Sequence, residues 1–462
     1  MQFLDRRHEM ERLDSVLSRP GAFAVIWGRR RIGKSRLLIE WSRAHDGLYT
    51  VADQSSPPVQ RRYLAAAVAE RFPGFADVEY PDWRSFLTRL SVEADRAGWE
   101  GPWVLDELPY LIEADPALPG VLQNWLDRLE RRVRLVVCGS SQRMMHSVIL
   151  DAAAPLYGRA VEAFAVGPLP PGHLAEAFPW DKHRGLVGAY ALWGGVPRYW
   201  ELAEPFGSDI EAAVDALVLD PAGPLHGEPD RLLREETPPA TALRPLLDVI
   251  GNGAHRVSEI ADRLGKPASS LSRPLASLIE MGFVRRDTPF GSDPKAGRRS
   301  LYRIDDPFLH LWFRVVAPHR AALAAAPRET RLTYWHRHRP ALDAVAWEEL
   351  CRRAVPLLHR SDTPLGRLGP WEPAQRYWRG NAPELDVVAR SVDGKRLLVG
   401  EVKWTARRVE TSRPVAGVLV GHLGDTEDAE VVQARFVPEN TVAAAGPNIH
   451  VVDARTVMGL LV

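Results

Sequence analysis

The sequence predicts an α/β protein of several domains, built on a parallel-sheet core at its amino end. Residues 1–170 alternate short apolar strands with amphipathic helices, the pattern of parallel strands joined by crossover helices. At 462 residues the chain is longer than one ordinary domain, and two to four domains are expected. The rhythm also changes near residue 240 and again near 341. These shifts divide the chain into a core (1–170), a helical lid (171–235), a winged-helix segment (236–305), linker helices (306–340) and a second α/β domain (341–462).

Composition is that of a globular protein, with 45% hydrophobic and 26% charged residues. Lys+Arg and Asp+Glu both total 59, so net charge points to no nucleic-acid partner, although a balanced sum is compatible with a local basic groove. Cys138 and Cys351 lie far apart in apolar contexts, which fits neither a zinc site nor a disulfide framework. No apolar run reaches membrane-spanning length and the first residues lack an apolar signal core. No membrane contact is expected, and the cytoplasm is the default location. Only six of the basic residues are Lys, so a Lys at a motif position is unusually informative.

In the core, Ala22–Trp27, Leu48–Ala52, Trp103–Asp106, Arg134–Cys138 and Ala160–Val166 read as strands. The first runs into Gly28-Arg29-Arg30-Arg31-Ile32-Gly33-Lys34-Ser35, followed by Arg36 at the head of an expected helix. This is a P-loop, G-x-x-x-x-G-K-[ST], in the strand-to-helix context it requires. Chance supplies such a match in roughly one to two chains per hundred of this length, before the flanks are counted. Backbone N–H groups at the helix start would cradle phosphate, Lys34 would reach the β- and γ-phosphates, and the Ser35 hydroxyl would ligate Mg²⁺. The implied ligands are ATP and Mg²⁺.

About 75 residues after the loop, Trp103-Val-Leu-Asp106-Glu107 is an apolar strand ending in acid. Asp106 would hold the metal through water, and Glu107 would polarise the attacking water. Farther on, Leu135–Ser141 is a strand ending in small polar residues. Ser140 or Ser141 could sense the γ-phosphate or orient the water, or simply cap a helix.

Phe3-Leu-Asp-Arg6 with Glu9 and Leu13, the P-loop, Asp106-Glu107, Gly139-Ser-Ser141, Pro155–Arg159 and Gly194–Arg198 together resemble the prokaryotic AAA+/STAND-type ATPase family over roughly residues 1–205. The resemblance implies that Arg159 faces the phosphates and that Pro197 of the lid packs near the nucleotide base. The plain alternatives are a surface ion pair for Arg159 and a lid turn for Pro197. It also leaves the oligomeric state open, since an arginine in such cores can serve a neighbour's ATP and self-association can depend on nucleotide.

Residues 257–281 read as helix, turn, helix, with Ile260, Leu264, Leu271, Leu275, Leu278 and Ile279 on one apolar face. Phe283–Arg286 and Ser300–Ile304 would be wing strands, with Lys295, Arg298 and Arg299 at the tip. Ser269, Ser270 and Arg273 would meet a DNA major groove while the wing touches phosphate; the alternative is an arm between domains.

In the last segment Asp386 begins one hairpin strand, the turn is Asp393-Gly394, and Glu401 with Lys403 share a face of the second strand, Glu401 standing fifteen positions beyond Asp386. Two carboxylates converging on one face can hold Mg²⁺ or Mn²⁺, while Lys403 positions or deprotonates water at a phosphodiester. The arrangement resembles the PD-(D/E)XK nucleases, which implies a restriction-endonuclease-like fold and an added helical acid, here Glu348. Glu384-Leu385 stands where that signature has Pro-Asp. The junction Tyr302–Phe308 with Leu311–Arg314 looks like that of a subgroup of these ATPases carrying such a tail. The expectation is an ATPase coupled to a metal-dependent nuclease acting on DNA or RNA. The alternative is a non-catalytic ATP switch or a winged-helix regulator whose tail only binds.

Overall fold

The computed structural model describes residues 2–128, 132–140, 142–178, 183–236, 243–293, 299–379, 384–404, 429–439 and 449–462. Ser141, Lys295 and Arg298, singled out above, lie outside them. The chain forms two compact units. The first comprises Leu4–Pro168 and Val196–Arg198; the second comprises Met1–Phe3, Leu169–Gly195 and Tyr199–Val462.

The first unit is built on five parallel strands, β1 (Phe23–Trp27), β2 (Leu48–Val51), β3 (Pro102–Asp106), β4 (Arg134–Gly139) and β5 (Glu162–Ala165), in the order β2-β3-β4-β1-β5. Strands β3 and β4 are buried at every position, as expected for a sheet covered on both faces. One side packs on the helices Pro57–Ala69, Trp83–Ala97 and Leu118–Leu126. Their apolar positions meet Trp103 and Leu105 in a cluster rich in aromatics, including Phe75, Phe86 and Trp125. Asp82 starts the second of these helices by accepting the Ser85 N–H, and Gly98 ends it in a left-handed turn.

The second unit has three parts. Helices within residues 171–236 include the fully buried face of His183–Trp193. The helices Arg244–Gly251, Val257–Leu264 and Ser272–Glu280 precede an antiparallel hairpin, β6 (Val284–Asp287) with β7 (Leu301–Ile304), which is a winged-helix arrangement. Finally, a 27-residue helix, Arg328–Ala354, packs beside a mixed sheet of β8 (Gln375–Tyr377), β9 (Leu385–Arg390), β10 (Arg396–Val402), β11 (Glu430–Val437) and β12 (Ile449–Asp453). Its order is β12-β11-β10-β9-β8. Strands β9 and β10 are antiparallel around Asp393-Gly394, whereas β10, β11 and β12 run parallel. The terminal helix Ala454–Leu460 is capped by Asp453 and returns to the lid segment, where Gly172 N–H donates to the Leu461 carbonyl at 2.9 Å.

The wing hairpin is joined to this sheet. Phe290 N–H donates to the Arg376 carbonyl at 2.8 Å, and its ring packs against the cluster of Tyr377, Leu385 and Val388. That contact answers to the interdomain-arm reading of the wing. The opposite part of the module stays open: Ser269, Ser270 and Arg273 are all exposed.

Candidate functional site

The phosphate loop joins β1 to the helix Lys34–Ala44. Gly28 has φ 150°, and a Cβ there would lie 2.5 Å from the Val166 carbonyl oxygen, so only glycine fits. Arg31 at φ 67° and Gly33 at φ 93° bend the loop into the helix. The Lys34 ammonium, nearly buried, donates to the carbonyls of Gly28 at 2.7 Å and Arg29 at 3.1 Å. Arg30 reaches the Tyr110 hydroxyl at 2.5 Å, and Ile32 is buried. Arg36 faces solvent, 4.0 Å from Glu40.

The strand order assembles the rest. β4 lies between β1 and β3, so the carboxyl end of β4 stands between the loop and the acids that end β3. Ser35 Oγ donates to Asp106 Oδ2 at 2.7 Å, and the Asp106 side chain is 1% exposed. Glu107 leaves the strand at φ 55°, an unfavourable conformation for this residue type, and its N–H donates to Asp106 Oδ1 at 2.9 Å. Ser140 Oγ donates to Glu107 Oε2 at 3.0 Å. Ser140 thereby holds the Glu107 carboxylate in place. The pair of hard oxygen donors on Ser35 and Asp106, beside a helix N-terminus, fits Mg²⁺.

Two further residues shape this site. The Tyr49 hydroxyl on β2 also donates to Asp106 Oδ2, at 2.7 Å; burial and then the Asp106 charge push its pKa up, so it stays a donor. Arg6, 4% exposed, donates to the carbonyls of Ile32 at 2.9 Å and Gly167 at 2.8 Å and pairs with Glu9 at 2.7 Å. It braces the loop from behind. The sequence signal for Arg6 was its place in the Phe3–Arg6 motif; nothing in the sequence singled out Tyr49.

Pro197 belongs to the same unit as the loop, and its Cγ lies 3.5 Å from where a Gly33 Cβ would be. Arg159 is not brought to the loop. It precedes β5 at the amino end of the sheet, where Val161 N–H donates to the Phe23 carbonyl, while the loop leaves the carboxyl end of β1. There it forks onto Asp127 with two contacts of 2.8 Å, and that hydrogen bonding lowers the Asp127 pKa. This is the surface ion pair.

The C-terminal acids are brought partly together. β9 and β10 pair Val387 with Gly400, and one further step of that register sets Asp386 opposite Glu401, side chains on one face. Asp386 Oδ2 accepts the Val402 N–H at 3.0 Å. Glu401 lies 2.8 Å from Lys403 and 3.4 Å from Arg435, a buried cation on β11 that sequence reading missed. Glu348 is drawn to Arg352 at 3.7 Å and Arg376 at 3.8 Å, and Arg352 in turn donates to the Asp386 carbonyl. Glu384 is an exposed partner of Arg376. Among the described residues, no three acidic, His or Cys side chains converge as a metal cage.

Parts of the chain match known families. Residues 3–170 match the family described as an ATPase domain predominantly from Archaea. Residues 246–288 match the IclR helix-turn-helix domain, and residues 312–415 match a family of archaeal and bacterial proteins of unknown function. An uncharacterized protein of Methanocaldococcus jannaschii is 28% identical over 411 residues, covering 87% of each chain. The Walker-type ATPase of Pyrococcus abyssi shares the fold with a TM-score of 0.55 and 21% identity, over 68% of this chain and 96% of that one. The ORC2 protein of Aeropyrum pernix aligns at 13% identity over 74% of this chain and 95% of that one, with a TM-score of 0.44. The chain thus carries an archaeal-type P-loop ATPase domain and a helix-turn-helix segment. No helix among the described residues is long and apolar enough to cross a membrane.

Proposed function

We propose that the chain binds ATP with Mg²⁺ on the loop Gly28–Ser35, hydrolyses it, and uses the turnover to govern nucleic acid held by its helix-turn-helix and C-terminal parts. The observation that carries the reading is the meeting of Ser35, Asp106, Glu107 and Ser140 at the carboxyl ends of adjacent strands. The N–H groups opening the helix at Lys34 would bind phosphate oxygens. Lys34 would exchange its carbonyl partners for the β- and γ-phosphates, a stronger charge-assisted bond. Mg²⁺ held by Ser35, with Asp106 behind it, would neutralise charge on the phosphates. Glu107, fixed by Ser140, would orient and polarise the attacking water.

Phosphate release from ATP by the full-length protein tests this. Lys34→Ala is expected to abolish nucleotide binding. Glu107→Gln should keep binding but lower kcat by about 10²–10⁴-fold. Equal turnover in Glu107→Gln and the parent protein would remove Glu107 from the reaction.

A second reading concerns the C-terminal face, where the Asp386–Glu401 register beside Lys403 favours metal-dependent phosphodiester cleavage. Asp386 and Glu401 would hold Mg²⁺ or Mn²⁺, and Lys403 would position the water. Single- and double-stranded DNA and RNA, with either metal and with or without ATP, should be cut by the parent protein and not by Glu401→Ala. Intact substrates under every condition, with ATP still turned over, would assign this face to binding alone.

A further inference from the structure

The turn that follows β3 is held in an unfavourable shape, and from several sides. Glu107, at φ 55°, is fixed by the Asp106 carboxylate at its N–H and by Ser140 at its own carboxylate. Such a backbone persists only where its surroundings over-determine it. The residues just beyond supply part of that determination. Pro109 lies across the end of β4, where a Cβ on Gly139 would come within 2.7 Å of the Pro109 Cδ. The bare backbone of Gly139 lets the turn settle onto the strand.

Tyr110 adds a second attachment. It stands in the first turn of the short helix Leu108–Ala114, and its N–H donates to the Glu107 carbonyl at 3.0 Å. Its ring packs against the aromatic cluster that covers one face of the sheet. Its hydroxyl accepts from Arg30 Nη2 at 2.5 Å. Arg30 belongs to the phosphate loop after β1, whereas Tyr110 belongs to the helix after β3. This hydrogen bond therefore spans the end of β4, the same interval that separates the loop from Glu107. It is charge-assisted, and so stronger than a bond between neutral groups.

That interval governs the chemistry. The loop would hold the phosphates and Glu107 the attacking water, so their separation decides whether attack is in line. A misplacement of about 1 Å costs on the order of 10²-fold in rate.

We propose that Tyr110 is a positioning residue for ATP hydrolysis: through Arg30 it ties the phosphate loop to the turn carrying Glu107 and sets the distance across which the water is delivered. The proposal rests on the hydrolysis reading and adds to it a residue that acts only through its neighbours.

Steady-state turnover and equilibrium ATP binding by full-length Tyr110→Phe test it. The change keeps the ring in the aromatic cluster and removes only the hydroxyl. kcat is expected to fall about tenfold or more, while the ATP dissociation constant stays within about twofold. The same change made in Glu107→Gln or in Arg30→Ala should have no further effect on turnover, because the hydroxyl works through those two side chains. A merely structural role would cost turnover in every background and lower the melting temperature. Unchanged kcat in Tyr110→Phe, a loss confined to ATP affinity, or an equal loss of turnover in the Glu107→Gln background would overturn the proposal. Turnover missing from the parent protein would strike the hydrolysis reading and this proposal with it. Turnover by the parent with an indifferent Tyr110→Phe would strike the proposal alone.

Discussion

Asp343 is buried on the long helix, 3.7 Å from Arg339 and hydrogen-bonded to the Trp404 side chain. Burial raises its pKa from 3.8 to about 6 against the opposing pull of Arg339 and Arg184. The folded state therefore binds a proton more readily than the unfolded one between these values. Its stabilising contribution is full below pH 3.8 and is lost as pH rises through about 6. Asp343→Asn keeps a hydrogen-bond acceptor and removes the charge. It should gain at most about 3 kcal/mol over the parent at pH 8, a gain that vanishes near pH 4. Denaturant melts of both proteins at the two pH values decide it, and parallel stability curves would refute it. At this scale the sequence was legible where chemistry is local. Lys34 and Ser35 sit within one motif, and Asp106-Glu107 closes a single strand. Tyr49 and Arg435 were not legible, because their roles depend on which strand lies alongside, and residue spacing does not encode strand order.

The helix Ser272–Glu280 buries Leu275 and Leu278 and leaves Arg273 exposed, and the turn before it exposes Ser269 and Ser270. A DNA groove would meet this end of the module, since the wing loop is engaged with the C-terminal sheet through Phe290. Arg273→Ala should weaken duplex binding and, if the contact is to phosphate, reduce the salt slope by about 1. Fluorescence anisotropy across a salt series measures both, and unchanged affinity would exclude this helix as the reader. The paired strands were well marked in the sequence. Alternating or continuous apolar runs located β1 to β5 within a residue or two, and Asp393-Gly394 located the β9–β10 turn. The other members of the second sheet were harder to read. β8 spans three residues, and β11 joins β10 in parallel only after a long connection, so neither a turn signature nor a short-range pattern announces the pairing.

Across the whole molecule, the boundary between units does not follow the chain. Val196–Arg198 belongs with the phosphate loop while the residues on both sides belong elsewhere, and Pro197 rests against Gly33. Pro197→Gly should leave the fold intact and weaken ATP binding by threefold to tenfold, corresponding to about 1 kcal/mol of lost apolar contact. Equilibrium binding of a fluorescent ATP analogue measures it; an unaltered affinity would reduce Pro197 to a turn residue. The same interruption has a consequence for birth order on the ribosome. Chains are made from the amino end at about 5–20 residues per second, and domains generally fold as units while synthesis continues. Every strand of the first sheet has been translated by residue 165, yet the last piece of this unit, Val196–Arg198, arrives only with residue 198. A nascent core thus has its phosphate loop before it has its whole unit, and on the proposed reading tight nucleotide capture would wait until part of the second unit has been made.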